Sequence, residues 1–230
     1  MTLLDTTGGN NKLRKANKDV TVRIAGLSML PDDVLCPMRW IAECADPCLR
    51  FSGRGIFDNV ERARLAKTEY FHANRPEFIE RLAHEIHNFK RTCIKKDVLP
   101  YVRLNVFSDV QWEKKTNGSF PQQFPDVEFL DYTKIAKRLD KTPVNYDLMF
   151  SWSNAPKYKE QVDAALKTTR PMSVVFYGPM PKEFLGREVI DGDQSDIYNV
   201  KQFNKIVGLK YKVAKGQDID PTKSNFIVCT

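Results

Sequence analysis

The chain has 230 residues, of which 42% are hydrophobic and 28% are charged. This composition is typical of a globular protein and excludes a disordered or collagen-like chain. The length fits one α/β domain better than two enzyme domains. The sequence has no run of about 18 apolar residues, and its first residues lack the charged-then-apolar order of a secretory signal. We therefore expect a cytoplasmic protein with one core and no membrane partner.

The chain is basic, with 36 Lys and Arg against 29 Asp and Glu, a net charge of +7. Such a charge favours polyanionic partners without identifying a site. Part of the excess lies in the first residues, where Lys12, Arg14, Lys15 and Lys18 follow Gly8-Gly9-Asn10-Asn11. We predict a flexible basic arm over residues 1–18 and a single α/β domain over 19–230. The alternative for the arm is a solvated tail without a partner.

Residues 20–27 alternate apolar and polar positions and predict the first strand. The turn signal Pro31-Asp32-Asp33 then places the cysteine-rich segment 36–48 in a loop. Asp58 and Asn74 each precede a Glu by three residues, which predicts a helix over 58–71 and a second helix from Asn74. The second helix carries one apolar stripe: Phe78, Leu82, Ile86, Phe89 and Cys93. Cys93 is therefore expected to be a buried thiol.

Six further runs have strand character: 101–107, 127–132, 146–152, 172–177, 188–190 and 206–211. Residues 155–167 predict a helix between two of them, and strands separated by helices favour a parallel sheet. We predict an α/β fold, a partial or open (β/α) barrel with a mostly parallel sheet. A doubly wound open sheet is the alternative, although no GxGxxG fingerprint follows any strand.

Side chains along a barrel strand alternate between the helix-packed face and the lumen. On the second predicted strand, Val102 and Leu104 are expected to face the helices, which leaves Arg103 and Asn105 pointing inward. Buried polar groups are hydrogen-bonded or functional. The pair therefore predicts either a ligand site or a set of side chains that satisfy one another.

Three of the five cysteines, Cys36, Cys44 and Cys48, lie within thirteen residues. In an intracellular protein such clustering indicates a metal or redox centre more often than disulfides. Three thiolates suit zinc or an iron–sulfur cluster, but zinc normally takes a fourth protein ligand, whereas a cluster with one open iron does not. An iron–sulfur cluster, zinc and no metal all remain open.

The segment Cys36-Pro37, followed by Cys44, Cys48 and Arg50-Phe51-Ser52-Gly53-Arg54-Gly55, resembles a group of phage and prophage proteins with a loop of the form C-P-x(5–6)-C-x3-C. Matching segments at 63–68, 102–109, 129–134, 150–154, 189–193 and 207–210 extend the resemblance over most of residues 20–216. These proteins are distantly similar to radical SAM iron–sulfur enzymes. The resemblance implies a radical-SAM-like partial barrel, a 4Fe-4S cluster on the three cysteines and S-adenosylmethionine as a further ligand.

The chain also departs from the radical SAM pattern. Radical SAM enzymes use C-x3-C-x2-C, whereas Cys36, Cys44 and Cys48 are separated by seven and three residues. A clear Gly-Gly-Glu is absent after the second strand, where that superfamily binds its cofactor. The chain can therefore share the fold and an iron–sulfur cluster with radical SAM enzymes without sharing their reaction.

The first functional hypothesis is a phage-encoded iron–sulfur protein, in the host cytoplasm, whose cluster lies at the carboxyl ends of the strands. Its partner would be an unknown small molecule, and the sequence names no reaction. The polar residues expected around this site lie within or just past strands: Arg103, Asn105, Asp109, Asp131, Lys134, Ser153, Asn154, Asp191 and Asp193. For Asp191 and Asp193, a capped turn is the simpler interpretation.

Two alternatives belong to other classes. A nucleic-acid-binding protein with a structural zinc site would use basic and aromatic residues such as Lys157-Tyr158-Lys159 and Lys210-Tyr211-Lys212. A modulator of a host protein would need no open site.

Overall fold

The computed structural model describes residues 1–6, 11–51, 57–114, 119–213 and 219–230. Within these residues one sheet contains ten strands: β1 (Leu4–Asp5), β2 (Val22–Leu27), β3 (Leu99–Arg103), β4 (Glu128–Thr133), β5 (Tyr146–Ser151), β6 (Met172–Tyr177), β7 (Glu183–Phe184), β8 (Arg187–Asp191), β9 (Ile206–Lys210) and β10 (Ile227–Cys229). The α-helices are α1 (Asn11–Ala16), α2 (Asp58–Ala73), α3 (Arg75–Lys95), α4 (Lys159–Leu166) and α5 (Asp196–Asn199).

The strand order is β1-β2-β3-β4-β5-β6-β9-β8-β7, with β10 beside β6. All pairings from β2 to β8 are parallel, and β1 and β7 add one antiparallel strand at each edge. Among the described strands the two edges do not pair with each other, so the sheet is not closed. The predicted α/β class and the mostly parallel sheet are confirmed. The order also runs sequentially from β1 to β6, without the reversal that a doubly wound sheet contains.

One face of the sheet packs on the long helices. Val102 and Leu104 are fully buried in the same cluster as Phe78, Leu82 and Ile86 of α3. The apolar stripe predicted for α3 is therefore confirmed, and so is the facing of β3. Asn74 caps α3 as predicted, since its side chain accepts from the backbone N–H of Glu77 at 3.3 Å.

The start of α2 differs from the expectation. The helix begins at Asp58, which makes Phe57 the N-cap residue, and no side chain caps it. Asp58 lies one residue too far into the helix to serve as the cap of the predicted capping box. Its charge in the first turn still favours the positive end of the helix dipole.

The opposite face of the sheet is covered by the N-terminal segment. Leu13 and Ala16 of α1 are buried there in a cluster with Ile24, and Leu4 of β1 pairs with Leu27. A Cβ added at Gly26 would lie 2.7 Å from the Leu13 side chain, so glycine is what permits this close approach. Within the segment predicted as a flexible basic arm over 1–18, Leu3, Leu4 and Leu13 are buried, and the arm itself stays a prediction. Residues 7–10 of that arm lie outside the described part of the chain.

Candidate functional site

The cysteine loop leaves β2 through a turn organised by Asp32. The Asp32 carboxylate accepts from the backbone N–H groups of Val34 and Leu35 at 2.9 and 2.8 Å. Its other oxygen lies 2.6 Å from Nε2 of His72 on α2. Burial raises the pKa of Asp32, but these hydrogen bonds outweigh burial and leave the pKa lowered. The turn signal read from the sequence is therefore confirmed, and it fixes where the loop begins.

The loop is anchored to the segment that follows β3. The Asp109 N–H donates to the Leu35 carbonyl at 2.7 Å, and the Cys36 thiol donates to the Phe107 carbonyl at 3.4 Å. Leu35 and Ala42 are fully buried in the main core. The loop is thus a packed part of the domain. The Ser52-Gly53-Arg54-Gly55 part of the resembling segment lies outside the described residues.

Cys36, Cys44 and Cys48 are all partly buried, and none forms a disulfide. Burial raises the pKa of Cys36, and the charges of Asp109, Cys48 and Cys44 raise it further. Burial likewise raises the pKa of Cys44, against a lowering by Lys134. Cys44 and Cys48 therefore lie close enough to Cys36 to influence it, and the raised pKa values keep Cys36 and Cys44 protonated at neutral pH.

Lys134 is a buried cation beside these thiols. It follows β4, and its Nζ donates to the backbone carbonyls of Ser151 and Trp152 at 3.1 and 3.2 Å. The ring centroid of Phe226 lies 4.2 Å from the same nitrogen. Burial lowers the pKa of Lys134 to about 8, although Cys44, Asp109, Cys36 and Cys48 act in the opposite direction. Lys134 and the three thiols therefore lie together at the carboxyl ends of the strands, and we refer to this group of side chains as the thiol pocket or cysteine pocket.

The donor set of this pocket suits a soft or borderline metal, because thiolates are its natural ligands. Over the described residues, however, no three His, Cys, Asp or Glu side chains stand together in an arrangement that could hold a metal ion. The chemistry of the residues fits a metal centre, and their spacing does not. Cys93 lies apart, buried in the α3 stripe as predicted.

A buried ion cluster lies beneath the loop. Arg138, which is 1% exposed, is paired with Asp109 and donates to Glu113 through Nε and Nη2 at 2.8 and 3.0 Å. Asp109 also accepts from the Lys134 N–H at 2.8 Å. Burial raises the pKa of Asp109 despite these partners. Asp109 thus belongs to the site in position, but its carboxylate is committed to Arg138 and to the backbone.

Arg103 and Asn105 are in contact, since Nη2 of Arg103 donates to the Asn105 carbonyl at 3.4 Å. Arg103 is on the face opposite the long helices, as predicted, where its Nη1 donates to Asp196 of α5 at 2.6 Å and its guanidinium lies over the Tyr132 ring. Removal of Arg103 would leave Asp196 buried without this cation, which is destabilising.

Asn105 and Asp131 form a second buried set just past β3. The backbone N–H of Asn105 donates to Asp131 Oδ1 at 2.9 Å, and the Tyr146 hydroxyl donates to Asp131 Oδ2 at 2.8 Å. Asp131 is fully buried, and burial raises its pKa to about 7. Arg103 is nearby, since its Nε lies 3.8 Å from Asp131 Oδ1. These residues satisfy one another, which is one of the two outcomes that the sequence left open.

The other expected site residues divide between two places. Ser153 and Asn154 contact the carbonyl of Asn225, through the Ser153 hydroxyl at 3.3 Å and the Asn154 N–H at 2.8 Å. They thereby join the segment that carries Phe226 over Lys134. Asp191 and Asp193 form a turn instead, in which the Asp193 N–H donates to Asp191 Oδ1 at 2.9 Å. The capped-turn interpretation is confirmed.

Sequence reasoning missed several residues that complete these clusters. Arg138 and Glu113 lie in segments without a recognisable motif, and Asp196 is 93 residues from Arg103 along the chain. Phe226 lies in the turn just before β10, a segment with no pattern of its own. Ser195 was the one available signal for the helix that carries Asp196. Its side chain accepts from the Tyr198 N–H and caps the start of α5.

One of the two nucleic-acid motifs is not available for base stacking. Tyr158 is fully buried, and its hydroxyl donates to the Lys134 carbonyl at 2.9 Å. The Tyr211 ring packs edge-on against Tyr177 at 6.2 Å.

No helix in the described part of the chain has the length and apolar character needed to cross a membrane.

The fold and site define an α/β protein with a cysteine pocket at the carboxyl ends of a mostly parallel sheet. The model of the family described as gene product 88 matches residues 2–224. The chain belongs to this family of phage gene products, whose description names no activity. No curated protein and no solved structure matches the chain. The phage assignment therefore has support, whereas the similarity to radical SAM enzymes receives none from these comparisons.

Proposed function

We propose that this protein binds a metal centre through Cys36, Cys44 and Cys48, with a 4Fe-4S cluster as the first candidate and zinc as the alternative. The observation that carries the proposal is the placement of the three cysteines in one loop anchored past the carboxyl end of β3, where Cys44 and Cys48 act on Cys36. This edge is where parallel α/β folds build their sites. The sequential order of strands β1 to β6 also supports a partial barrel as the finer description of the fold.

The neighbouring residues suit such a centre electrostatically. Each cysteine that loses its proton adds one negative charge to a partly buried pocket, and Lys134 supplies a positive charge there. The Lys134 ammonium is held in place by two carbonyls and an aromatic ring. When bound, a cluster held by three cysteines would supply one open iron for a small molecule, for which S-adenosylmethionine is the proposed class.

Binding requires a change in the loop. Since the described side chains do not form a metal-binding group, the segment between Cys36 and Cys48 has to draw the thiols together. Cys36 and Cys44 are protonated at neutral pH, so their coordination releases protons. In this proposal the metal shifts the three thiols within a loop that is already packed beside Lys134.

The test is anaerobic purification followed by analysis for iron, acid-labile sulfide and zinc, with an absorbance spectrum. We expect iron and sulfide in similar amounts and a broad visible absorbance. Cys36→Ser, Cys44→Ser and Cys48→Ser should each lose the metal, whereas the matched control Cys93→Ser should keep it. Zinc without sulfide would select the alternative. A chain that contains no metal and takes up neither iron–sulfur nor zinc would refute the proposal.

A further inference from the structure

A cavity lies beside the cysteine loop, on the side of the long helices. Its volume is about 180 Å³. Val34 and Pro37 of the loop and Phe71 of α2 form its apolar wall. Arg75, Gln111 and Lys114 supply its polar groups. An engineered cavity of ~150 Å³ accepts benzene, so this space suits a molecule of about six to ten heavy atoms.

Two polar atoms of the lining are buried without a hydrogen-bond partner in the described residues: Nε of Arg75 and Oε1 of Gln111. The first is a donor and the second is an acceptor. Buried polar atoms are nearly always paired, and each one left unpaired is destabilising. A ligand that offers an acceptor to Arg75 and a donor to Gln111 would satisfy both atoms.

The charge of the lining favours an anion. Arg75 is the first residue of α3, at the positive end of that helix dipole, and Lys114 adds a second cation. The one carboxylate in the lining, Asp109, is already paired with Arg138. The positive charges of Arg75 and Lys114 are therefore what a ligand would meet.

We infer that this cavity binds a small carboxylate that carries a hydroxyl or amide donor next to the acid group. The Arg75 guanidinium lies over the Phe71 ring, 4.7 Å from its centroid. The carboxylate accepts from Arg75 and Lys114, the donor pairs with Gln111 Oε1, and the carbon skeleton packs on Val34 and Pro37. This site is distinct from the thiol pocket and needs no metal.

Lactate and propionate test the inference as a matched pair, because they share the carboxylate and differ in the hydroxyl group. Both are titrated at millimolar concentration, the range expected for so few contacts, into the ¹⁵N-labelled full chain. We expect chemical-shift changes at the amides of Val110, Gln111 and Lys114, with lactate binding at least fivefold more tightly than propionate, roughly 1 kcal/mol. Arg75→Gln should weaken both acids about tenfold, whereas the control Arg91→Gln, on the exposed side of α3, should change neither.

Gln111→Leu separates the two parts of the inference. It should abolish the preference for lactate while leaving propionate binding within about twofold, and it keeps the test informative if Arg75→Gln destabilises α3. Equal binding of the two acids by the unmodified chain would overturn the assigned donor contact. The absence of shifts at these amides, or shifts that Arg75→Gln leaves unchanged in a folded protein, would overturn the site itself.

Discussion

The ion cluster beneath the cysteine loop is the most sensitive point of the core, and Arg138→Met tests it. Methionine keeps most of the volume of the side chain but removes the cation and all of its hydrogen bonds. Asp109 and Glu113 would then remain as carboxylates with side chains only 7% and 6% exposed. Asp109 would retain its bonds from the Lys134 N–H and the Thr133 hydroxyl.

Breaking a buried ion pair by removing one partner destabilises a protein by about 3–5 kcal/mol. Arg138 serves two carboxylates, but the remaining bonds of Asp109 compensate in part, so we expect a loss within this range. A typical domain is stable by about 5–15 kcal/mol, which makes the loss roughly a fifth of the total or more. The triple variant Arg138→Met/Asp109→Asn/Glu113→Gln removes both charges and should recover at least about half of it.

Urea denaturation at pH 7, followed by far-UV circular dichroism, measures these differences. Arg170→Met is the control. Arg170 pairs with Asp147 at 3.1 Å, outside the ion cluster, and both side chains are more exposed than those of the cluster. This variant should lose no more than about 1 kcal/mol. An Arg138→Met protein within about 1 kcal/mol of the unmodified chain would show that the carboxylates are solvated. Failure of the triple variant to recover stability would show that packing, and not charge, is responsible.

Three further substitutions test the core, the buried acid and the chain reversal after β6. Leu104→Ala should lower the free energy of unfolding by about 2–5 kcal/mol, and a loss below about 1 kcal/mol in the same urea assay would contradict its placement on the helix-packed face. Burial raises the pKa of Asp131 to about 7, so its contribution to stability is full below an unfolded pKa near 4 and is lost as the pH rises through 7. Thermal melts of Asp131→Asn should therefore depend less on pH between about 4 and 7 than those of the unmodified chain, and parallel curves would contradict the shift. Gly178 has a φ of +112°, and an added Cβ would lie 2.3 Å from the Thr230 carbonyl oxygen; Gly178→Ala should thus lower stability by at least about 1–3 kcal/mol, and an unchanged melting temperature would refute this.

The long elements were predictable because each contains its own pattern. β6 spans Met172–Tyr177 in the structure, the range that its β-branched run predicted. The stripe of α3 repeats every three or four residues over roughly four turns and was equally clear. β1, β7 and β10 have two or three residues each, too few for any alternation. Their formation depends on the strand they pair with, which lies far away in the sequence.

The candidate site shows the same division. The position of Cys36, Cys44 and Cys48 after a strand followed from one turn signal and one alternating run. The sequence could not indicate that Arg103 would pair with Asp196, because opposite charges 93 residues apart leave no local trace. Strand alternation placed Arg103 on the correct face, but it says nothing about which helix covers that face. The sequence thus predicted the sheet face on which Arg103 lies, but it did not predict the residue with which Arg103 pairs.

The hydrogen bond between Asn225 and Glu43 joins the cysteine loop to the segment just before β10. The Asn225 amide donates to Glu43 Oε2 at 2.9 Å across 182 residues of sequence. Phe226, next to it, covers the Lys134 ammonium. Local openings in native proteins occur in cooperative units defined by contacts rather than by sequence order. Amide protons around Glu43 and around Asn225 should consequently exchange with solvent as one unit, with a common opening free energy. Access to the thiols would then be gated by a segment from the opposite end of the polypeptide.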